Sequence, residues 1–240
     1  MMLKPWDQLP DYMRTDAVRP YYDVLKKRQG SLVLKRIFDF LVALILLLII
    51  WPILIIIAIA VRLDTPGPAF FRQVRVTTYG RKFRMWKYRT MVANADKMGP
   101  QVTTNNDMRV TRIGKILRGV RLDELPQLIN ILKGDMSVVG PRPERIEHVK
   151  QYTEEIPEFA YRLTVKGGLT GFAQVYGKYN TTAYDKLKLD LMYIQNYSIL
   201  LDLEIIIRTI QVLFTKESTE GFDESKSKEM TEHSRHDLEE

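Results

Sequence analysis

The sequence predicts an α+β protein with a membrane-embedded re-entrant helix hairpin, amphipathic interfacial helices and a small β-hairpin. Three observations predict this fold class. Residues 40–61 contain no charged side chain, two alternating runs flank a glycine turn at residues 78–81, and residues 111–133 repeat apolar side chains at helical spacing. A chain of 240 residues is long enough for one domain with its own core and additional segments.

Residues 40–61 are the membrane segment. As a helix, these 22 residues extend about 33 Å, enough to cross a hydrocarbon core of ~30 Å. A single transmembrane anchor is therefore one interpretation. However, Pro52 predicts a kink or break near the centre, because proline lacks the backbone donor that the helix needs. Basic residues also flank the segment on both sides, so the positive-inside rule assigns no orientation. We expect a helix–break–helix hairpin over residues 35–62 that enters and leaves through one leaflet.

Composition excludes several kinds of site. The chain has no cysteine and 3 histidines, which excludes disulfides, thiolate zinc sites and cysteine nucleophiles and disfavours a histidine metal cluster. The net charge is +7 although residues 216–240 are acidic, so the rest of the chain is strongly basic. Such a body favours an anionic partner: anionic lipid, a phosphorylated substrate or nucleic acid. Nucleic acid is the weakest of these, because the basic residues adjoin the membrane segment.

The chain divides into four parts. Residues 1–34 are an N-terminal extension, interpreted as a short helical or interfacial cap, and residues 35–62 are the membrane hairpin. Residues 63–215 form a cytoplasmic catalytic domain that ends in two helices divided near Ser198. The second of these helices contains charged residues, so it packs on the core or lies at the membrane interface. Residues 216–240 are rich in Ser, Glu and Lys and predict a disordered tail.

Two adjacent acids are the main catalytic candidates. Pro126 fits only the first turn of a helix, so Asp123 and Glu124 should lie at that helix's N-terminus. Helix capping is the simplest role there, since free N–H groups favour a carboxylate. Arg118 upstream and Arg142 downstream, within Pro-Arg-Pro, favour phosphorus chemistry instead. Arginines can neutralise phosphate oxygens while a carboxylate attacks.

A glycine-rich stretch, residues 165–180, contains Gln174 as a polar candidate. The stretch could wrap a phosphate or a base, but such glycine-rich loops are more often plain turns. Both interpretations stay open from these residues alone.

Four motifs carry a family resemblance. They are KRIFDF, WKYRTM, RLDELPQLINILKGDMSVVGPRPE and GLTGFAQV, in this order along about residues 35–215. The chain resembles bacterial sugar transferases of the monotopic phosphoglycosyl transferase superfamily. The resemblance implies an initiating enzyme of exopolysaccharide or capsule synthesis at the cytoplasmic face of the inner (plasma) membrane. Such an enzyme uses Mg²⁺, moves a sugar phosphate from a nucleotide diphosphate sugar, here a UDP-hexose or UDP-amino sugar, to polyprenyl phosphate, and releases UMP.

The resemblance also implies roles for individual residues. Asp123 matches the nucleophile and Glu124 its partner, and we expect one of these two carboxylates to ligate the metal. The matching substrate-binding residues are Lys87, Arg118, Arg142 and Gln174. A homodimer is left open.

The sequence departs from the family pattern at two places. Trp51 precedes Pro52 where the family has serine, and Lys166 followed by two glycines replaces Arg-Pro-Gly. Lys166 keeps the positive charge expected of a substrate-binding residue but lacks the bidentate fork of arginine.

A second function class remains open from the sequence. A non-catalytic, single-span membrane tether would also need an apolar segment and a basic surface that binds lipid or a partner protein. Transfer of label from a nucleotide sugar to polyprenyl phosphate distinguishes the enzyme from the tether.

Overall fold

The computed structural model describes residues 3–95, 98, 107–177 and 182–213; the expected disordered tail, 216–240, lies outside them. The described part is α+β, as the sequence predicts. Its helices are α1 (Arg19–Lys27), α2 (Gln29–Asp64), α3 (Arg112–Gly119), α4 (Gln127–Lys133), α5 (Ile146–Glu155), α6 (Phe172–Tyr176), α7 (Ala183–Gln195) and α8 (Ile199–Leu213). Its strands are β1 (Phe70–Val76), β2 (Lys82–Tyr88), β3 (Ser137–Val139) and β4 (Gly168–Thr170).

The N-terminal residues are part of the core. Apolar side chains from this segment are buried in the same cluster as side chains of α4 and α7: Leu3, Leu9, Met13, Val18, Tyr22 and Leu25. The segment is held by polar contacts as well, because the Tyr22 hydroxyl donates to the Lys4 carbonyl over 2.9 Å. The extension is therefore a packed lid, residues 3–27, on the rest of the described body. The expected boundary between residues 34 and 35 falls inside α2, which begins at Gln29.

Truncating one buried side chain of this lid tests its contribution to stability. Leu25 is 0% exposed, so Leu25→Ala should lower the free energy of unfolding by about 2–5 kcal/mol. Leu200 is 78% exposed, and Leu200→Ala should change it by less than about 0.5 kcal/mol. Melting of both variants in the same detergent checks this, and equal melting temperatures would contradict the assignment of the lid to the core.

Helix α2 is the one described helix that is long and apolar enough to cross a membrane. Pro52 lies inside it, and the helix runs without interruption through the predicted break. The expected two-helix hairpin is thus one continuous helix of 36 residues in the structure. Its buried residues fall at the two ends: Leu32, Lys35, Asp39 and Ala43, then Ile57 and Val61.

Both ends of α2 are attached to the same globular body. Near its start, the Arg36 guanidinium donates to the carbonyl oxygens of Ile131 and Leu132 at the C-terminus of α4, over 2.6 and 2.8 Å. Two residues after Pro52, the Leu54 carbonyl accepts from the Tyr88 hydroxyl of β2 over 2.7 Å, and near the end of α2 the Val61 carbonyl accepts from Arg89 Nη2 over 3.1 Å. These two parts of the body are themselves joined, because the Trp86 N–H donates to Asn130 Oδ1 over 2.9 Å.

The predicted β-hairpin is confirmed. Strands β1 and β2 pair antiparallel, with Phe70 opposite Tyr88 and Val76 opposite Lys82. The turn between them places Tyr79 and Gly80 at positive φ, which is the conformation that glycine adopts without strain. The pairing carries Lys87 on β2 to the side of the body where α4 packs.

A second pair of strands was absent from the sequence prediction. Strands β3 and β4 are parallel, with Ser137 opposite Gly168 and Val139 opposite Thr170. Each strand has three residues, too few for an alternating pattern to be visible. At Gly168 a Cβ would collide with the backbone of Gly140, so the close approach of the two strands requires glycine. The pair places the Pro-Arg-Pro turn directly after β3.

Candidate active site

The predicted dyad lies where the helical pattern of residues 111–133 is interrupted. After α3, Arg121 adopts a left-handed conformation, and residues 122–124 form a 3₁₀ turn before Pro126 and α4. Asp123 and Glu124 therefore precede the helix N-terminus, as predicted. Both side chains are buried, at 9% exposure each. Two carboxylates so enclosed need compensating positive charge.

Glu124 receives that charge from two distant parts of the chain. Lys87 Nζ on β2 and Arg142 Nη2 in the Pro-Arg-Pro turn each lie 2.7 Å from Glu124 Oε1. Burial opposes ionisation, but Arg142 and Lys87 outweigh it and hold the pKa of the Glu124 carboxyl below its usual range. Glu124 in turn raises the pKa of Arg142, while burial lowers that of Lys87. Glu124 is thus ionised and fully engaged, and it keeps two cations at the site.

Asp123 differs from its neighbour. Its carboxylate makes no hydrogen bond or ion pair within the described part of the chain. Burial raises its pKa, and the positive charge of Lys87 partly opposes this effect. An unpaired carboxylate beside three basic side chains is available to an incoming electrophile. Of the two acids, Asp123 is the one that the geometry leaves free to act as a nucleophile.

Arg118 is the third basic side chain whose charge acts on Asp123. Its Nε donates to Thr90 Oγ1 over 2.8 Å, just beyond the end of β2. Helix α3 approaches this strand closely because Gly114 leaves room for the Thr90 backbone; a Cβ there would overlap it. Burial lowers the pKa of Arg118, and the charge of Asp123 opposes that shift. The side chain is therefore a cation within electrostatic reach of Asp123.

The structure does not bring all predicted substrate-binding residues to the dyad. Lys166 points to the start of α2, where its Nζ and the Arg36 guanidinium both approach Gly134. Burial lowers the pKa of Lys166 to about 8, and Arg36 adds to that effect. Gln174 lies on α6 and donates to the Leu169 carbonyl over 3.2 Å, without a contact to Asp123 or Glu124. Lys87, Arg118 and Arg142 remain as the cations of the candidate site.

Sequence reasoning missed the residues that support these cations. Thr90 orients Arg118, and two further arginines hold the backbone of the turn that carries Arg142. They are Arg75, whose Nη1 lies 3.2 Å from the Pro143 carbonyl, and Arg162, whose Nη2 lies 3.0 Å from the Arg142 carbonyl. The available signal was an arginine within the otherwise apolar run around residues 159–165. A lone charge in such a run indicates a buried partner.

The geometry agrees with a comparison of the whole chain with known proteins. The sequence profile of the bacterial sugar transferase family matches residues 30–216. The chain belongs to this family. The match includes α2, the dyad and all three cations, so the resemblance first seen in four motifs holds over nearly the entire described body.

Individual sugar transferases show how far this similarity extends. The UDP-N-acetylgalactosamine-undecaprenyl-phosphate N-acetylgalactosaminephosphotransferase of Aeromonas hydrophila is 43% identical over 76% of this chain and 44% of its own length. Two UDP-glucose:undecaprenyl-phosphate glucose-1-phosphate transferases are also 43% identical. The one from Caulobacter vibrioides is matched over 71% of its length, and the one from Escherichia coli K12 over 42%. The chain thus spans less than half the length of two of these relatives.

Proposed function

We propose that this sugar transferase moves a sugar-1-phosphate from a UDP-sugar to polyprenyl phosphate through a covalent aspartyl intermediate on Asp123. The observation that carries the proposal is the difference between the contacts of the two acids in the dyad. Glu124 is bound by Lys87 and Arg142, whereas the adjacent Asp123 carboxylate has no hydrogen bond or ion pair among the described residues and feels the charge of three cations. The relatives named for undecaprenyl-phosphate transfer support this choice of substrates.

The reaction has two displacements at one phosphorus. An Asp123 carboxylate oxygen attacks the β-phosphorus of the UDP-sugar, and the bond from that phosphorus to the bridging oxygen breaks. UMP leaves with the electron pair, and the sugar phosphate is now an acyl phosphate on Asp123. An oxygen of polyprenyl phosphate then attacks the same phosphorus, the Asp123 carboxylate leaves, and polyprenyl diphosphate sugar forms.

The three cations have a defined role in both steps. Negative charge increases on the phosphoryl oxygens and on the leaving group, and fixed positive groups in a buried site stabilise it. Lys87 and Arg142 are already fixed by Glu124, so they need little reorganisation when the donor binds. Arg118, whose charge also acts on Asp123, supplies a third positive group for these oxygens.

The carboxylates of the dyad fit Mg²⁺ only if the substrate phosphates and water complete its coordination. Among the described residues, no three Asp, Glu, His or Cys side chains cluster, so the protein offers no complete metal cage there. Mg²⁺ at phosphoryl-transfer sites takes one or two carboxylates together with substrate phosphates and water. Asp123 is the free ligand for this purpose, since Glu124 is engaged by two cations. When bound with the donor, the ion would offset diphosphate charge.

The site must also lie where both substrates can reach it. A nucleotide sugar is water-soluble and polyprenyl phosphate is embedded in lipid, so their common phosphorus chemistry requires the membrane surface. We propose that Pro52 bends this continuous helix, so that α2 enters and leaves the cytoplasmic leaflet of the inner membrane on the same side. The attachment of both its ends to one body supports this arrangement, because β2 and α4 cannot lie on opposite faces of a bilayer while hydrogen-bonded to each other.

The proposal is tested with the purified chain in detergent or nanodiscs. Incubation with polyprenyl phosphate and labelled UDP-N-acetylgalactosamine or UDP-glucose should give label in the organic phase and release UMP. Chelation by EDTA should stop the transfer, and excess Mg²⁺ should restore it. If no donor in a panel of common nucleotide sugars yields product, the enzyme proposal is wrong and the tether alternative is favoured.

A further inference from the structure

The Pro-Arg-Pro turn is held in an unusual way. Its two prolines have no N–H to donate, so its carbonyl oxygens are its main points of attachment. All three carbonyls in succession accept a hydrogen bond. Pro141 accepts from the Gly168 N–H at 2.9 Å, Arg142 from Arg162 Nη2 at 3.0 Å and Pro143 from Arg75 Nη1 at 3.2 Å.

The middle attachment is the most deeply buried. Arg162 is 5% exposed and Asp190 on α7 is 1% exposed. Asp190 Oδ2 lies 3.0 Å from Arg162 Nε and 2.7 Å from Arg162 Nη2. Nη2 carries two hydrogens, so it can serve Asp190 and the Arg142 carbonyl together. The guanidinium also lies over the Phe159 ring, with its Cζ 4.7 Å from the ring centre.

We infer that Arg162, held in place by Asp190, positions Arg142 for the donor sugar nucleotide. The inference rests on the proposed function for its consequence in catalysis, and on these contacts for its geometry. A buried ion pair contributes little net stability compared with apolar residues of the same volume. The pair instead fixes the orientation of the guanidinium, so that the second Nη2 hydrogen points at the Arg142 carbonyl oxygen.

Positioning matters at Arg142 because its side chain has a second connection. The guanidinium binds Glu124 through Nη2 at 2.7 Å and Nη1 at 3.4 Å. The chain of contacts therefore runs from Asp190 through Arg162 to the Arg142 backbone, and from its side chain to the dyad. A shift of the turn moves a cation relative to the reacting phosphorus, and a misplacement of about 1 Å can lower a rate by roughly 10²-fold.

A double-mutant cycle tests this coupling. Arg162→Lys keeps the charge beside Asp190 but cannot span both partners. It should lower kcat/KM for UMP release by about tenfold, within the range expected for a displaced positioning group. In an Arg142→Ala background the same change should cost less than about twofold, since coupled residues are not additive. Equal losses in both backgrounds would overturn the inference. Arg28→Lys, which removes a guanidinium from the Tyr197 carbonyl elsewhere, is the matched control and should leave kcat/KM unchanged.

A second measurement does not depend on catalysis. Hydrogen–deuterium exchange of the full chain should rise in peptides covering residues 140–146 in Arg162→Lys, and also in Asp190→Asn, which keeps the shape of the acid. Exchange there should not rise in Arg28→Lys. Unchanged exchange in both test variants would overturn the positioning role, whatever the activity. If the wild-type chain transfers no sugar phosphate from any donor, the proposed function fails, while the exchange data still decide whether Arg162 holds the turn.

Discussion

Asp123→Asn is expected to lower sugar-phosphate transfer by about a thousandfold or more, because an amide cannot form the acyl phosphate. The fold should tolerate this change, since the Asp123 side chain makes no hydrogen bond or ion pair in the part of the chain that the structure describes. Incubation with UDP-sugar labelled in its sugar, without polyprenyl phosphate, should attach label to the wild-type protein and not to the variant. Release of UMP in the same reaction gives the rate of the first step.

A matched acid separates the nucleophile from general charge effects. Asp23 is a surface carboxylate 3.4 Å from Arg19, and Asp23→Asn should retain full activity and labelling. Melting and membrane association should be the same for both variants. Activity above a few per cent in Asp123→Asn would mean that Asp123 is only a helix-terminus residue, a role whose loss costs about 1 kcal/mol of stability.

Both flanks of α2 are expected to label from the cytoplasmic side. The chain has 0 cysteines, so single cysteines can be introduced without background. Lys26 precedes α2 and Lys82 follows it, and both are exposed. In sealed right-side-out vesicles, Lys26→Cys and Lys82→Cys should resist a membrane-impermeant maleimide, and both should react once the vesicles are opened. The physical reason is that β2 and α4 anchor opposite ends of one helix to one body.

The competing topology gives a different and equally clear result. If α2 spans the bilayer, one of the two cysteines reacts in sealed vesicles and the other does not. The transfer assay on each cysteine variant confirms that the labelled protein is folded. Reaction of one position alone would contradict the re-entrant arrangement and leave the catalytic proposal to the assay with UDP-sugar.

The sequence predicted those features of the candidate site that depend on residues close together in the chain. Asp-Glu before Pro126 predicted a helix start, and the arginines on either side favoured phosphate chemistry over simple capping there. Which cation would meet which acid was not predictable. Lys87 and Arg142 converge on Glu124 from positions 37 and 18 residues away in the chain, and the direction of a long side chain depends on the packing of other elements. For the same reason Lys166, which lies two residues before β4, points to the start of α2 and not to the dyad.

The sequence by itself determined the apolar helix, the β-hairpin, the helix break at the dyad and the division between α7 and α8. Each of these follows from periodicity, proline or glycine within a short window. Only the tertiary structure decided that residues 3–27 complete the core, that α2 continues through Pro52, and that β3 pairs in parallel with β4. These features join segments far apart in the chain. Their stability comes from buried area and hydrogen bonds formed only after folding, which no local pattern records.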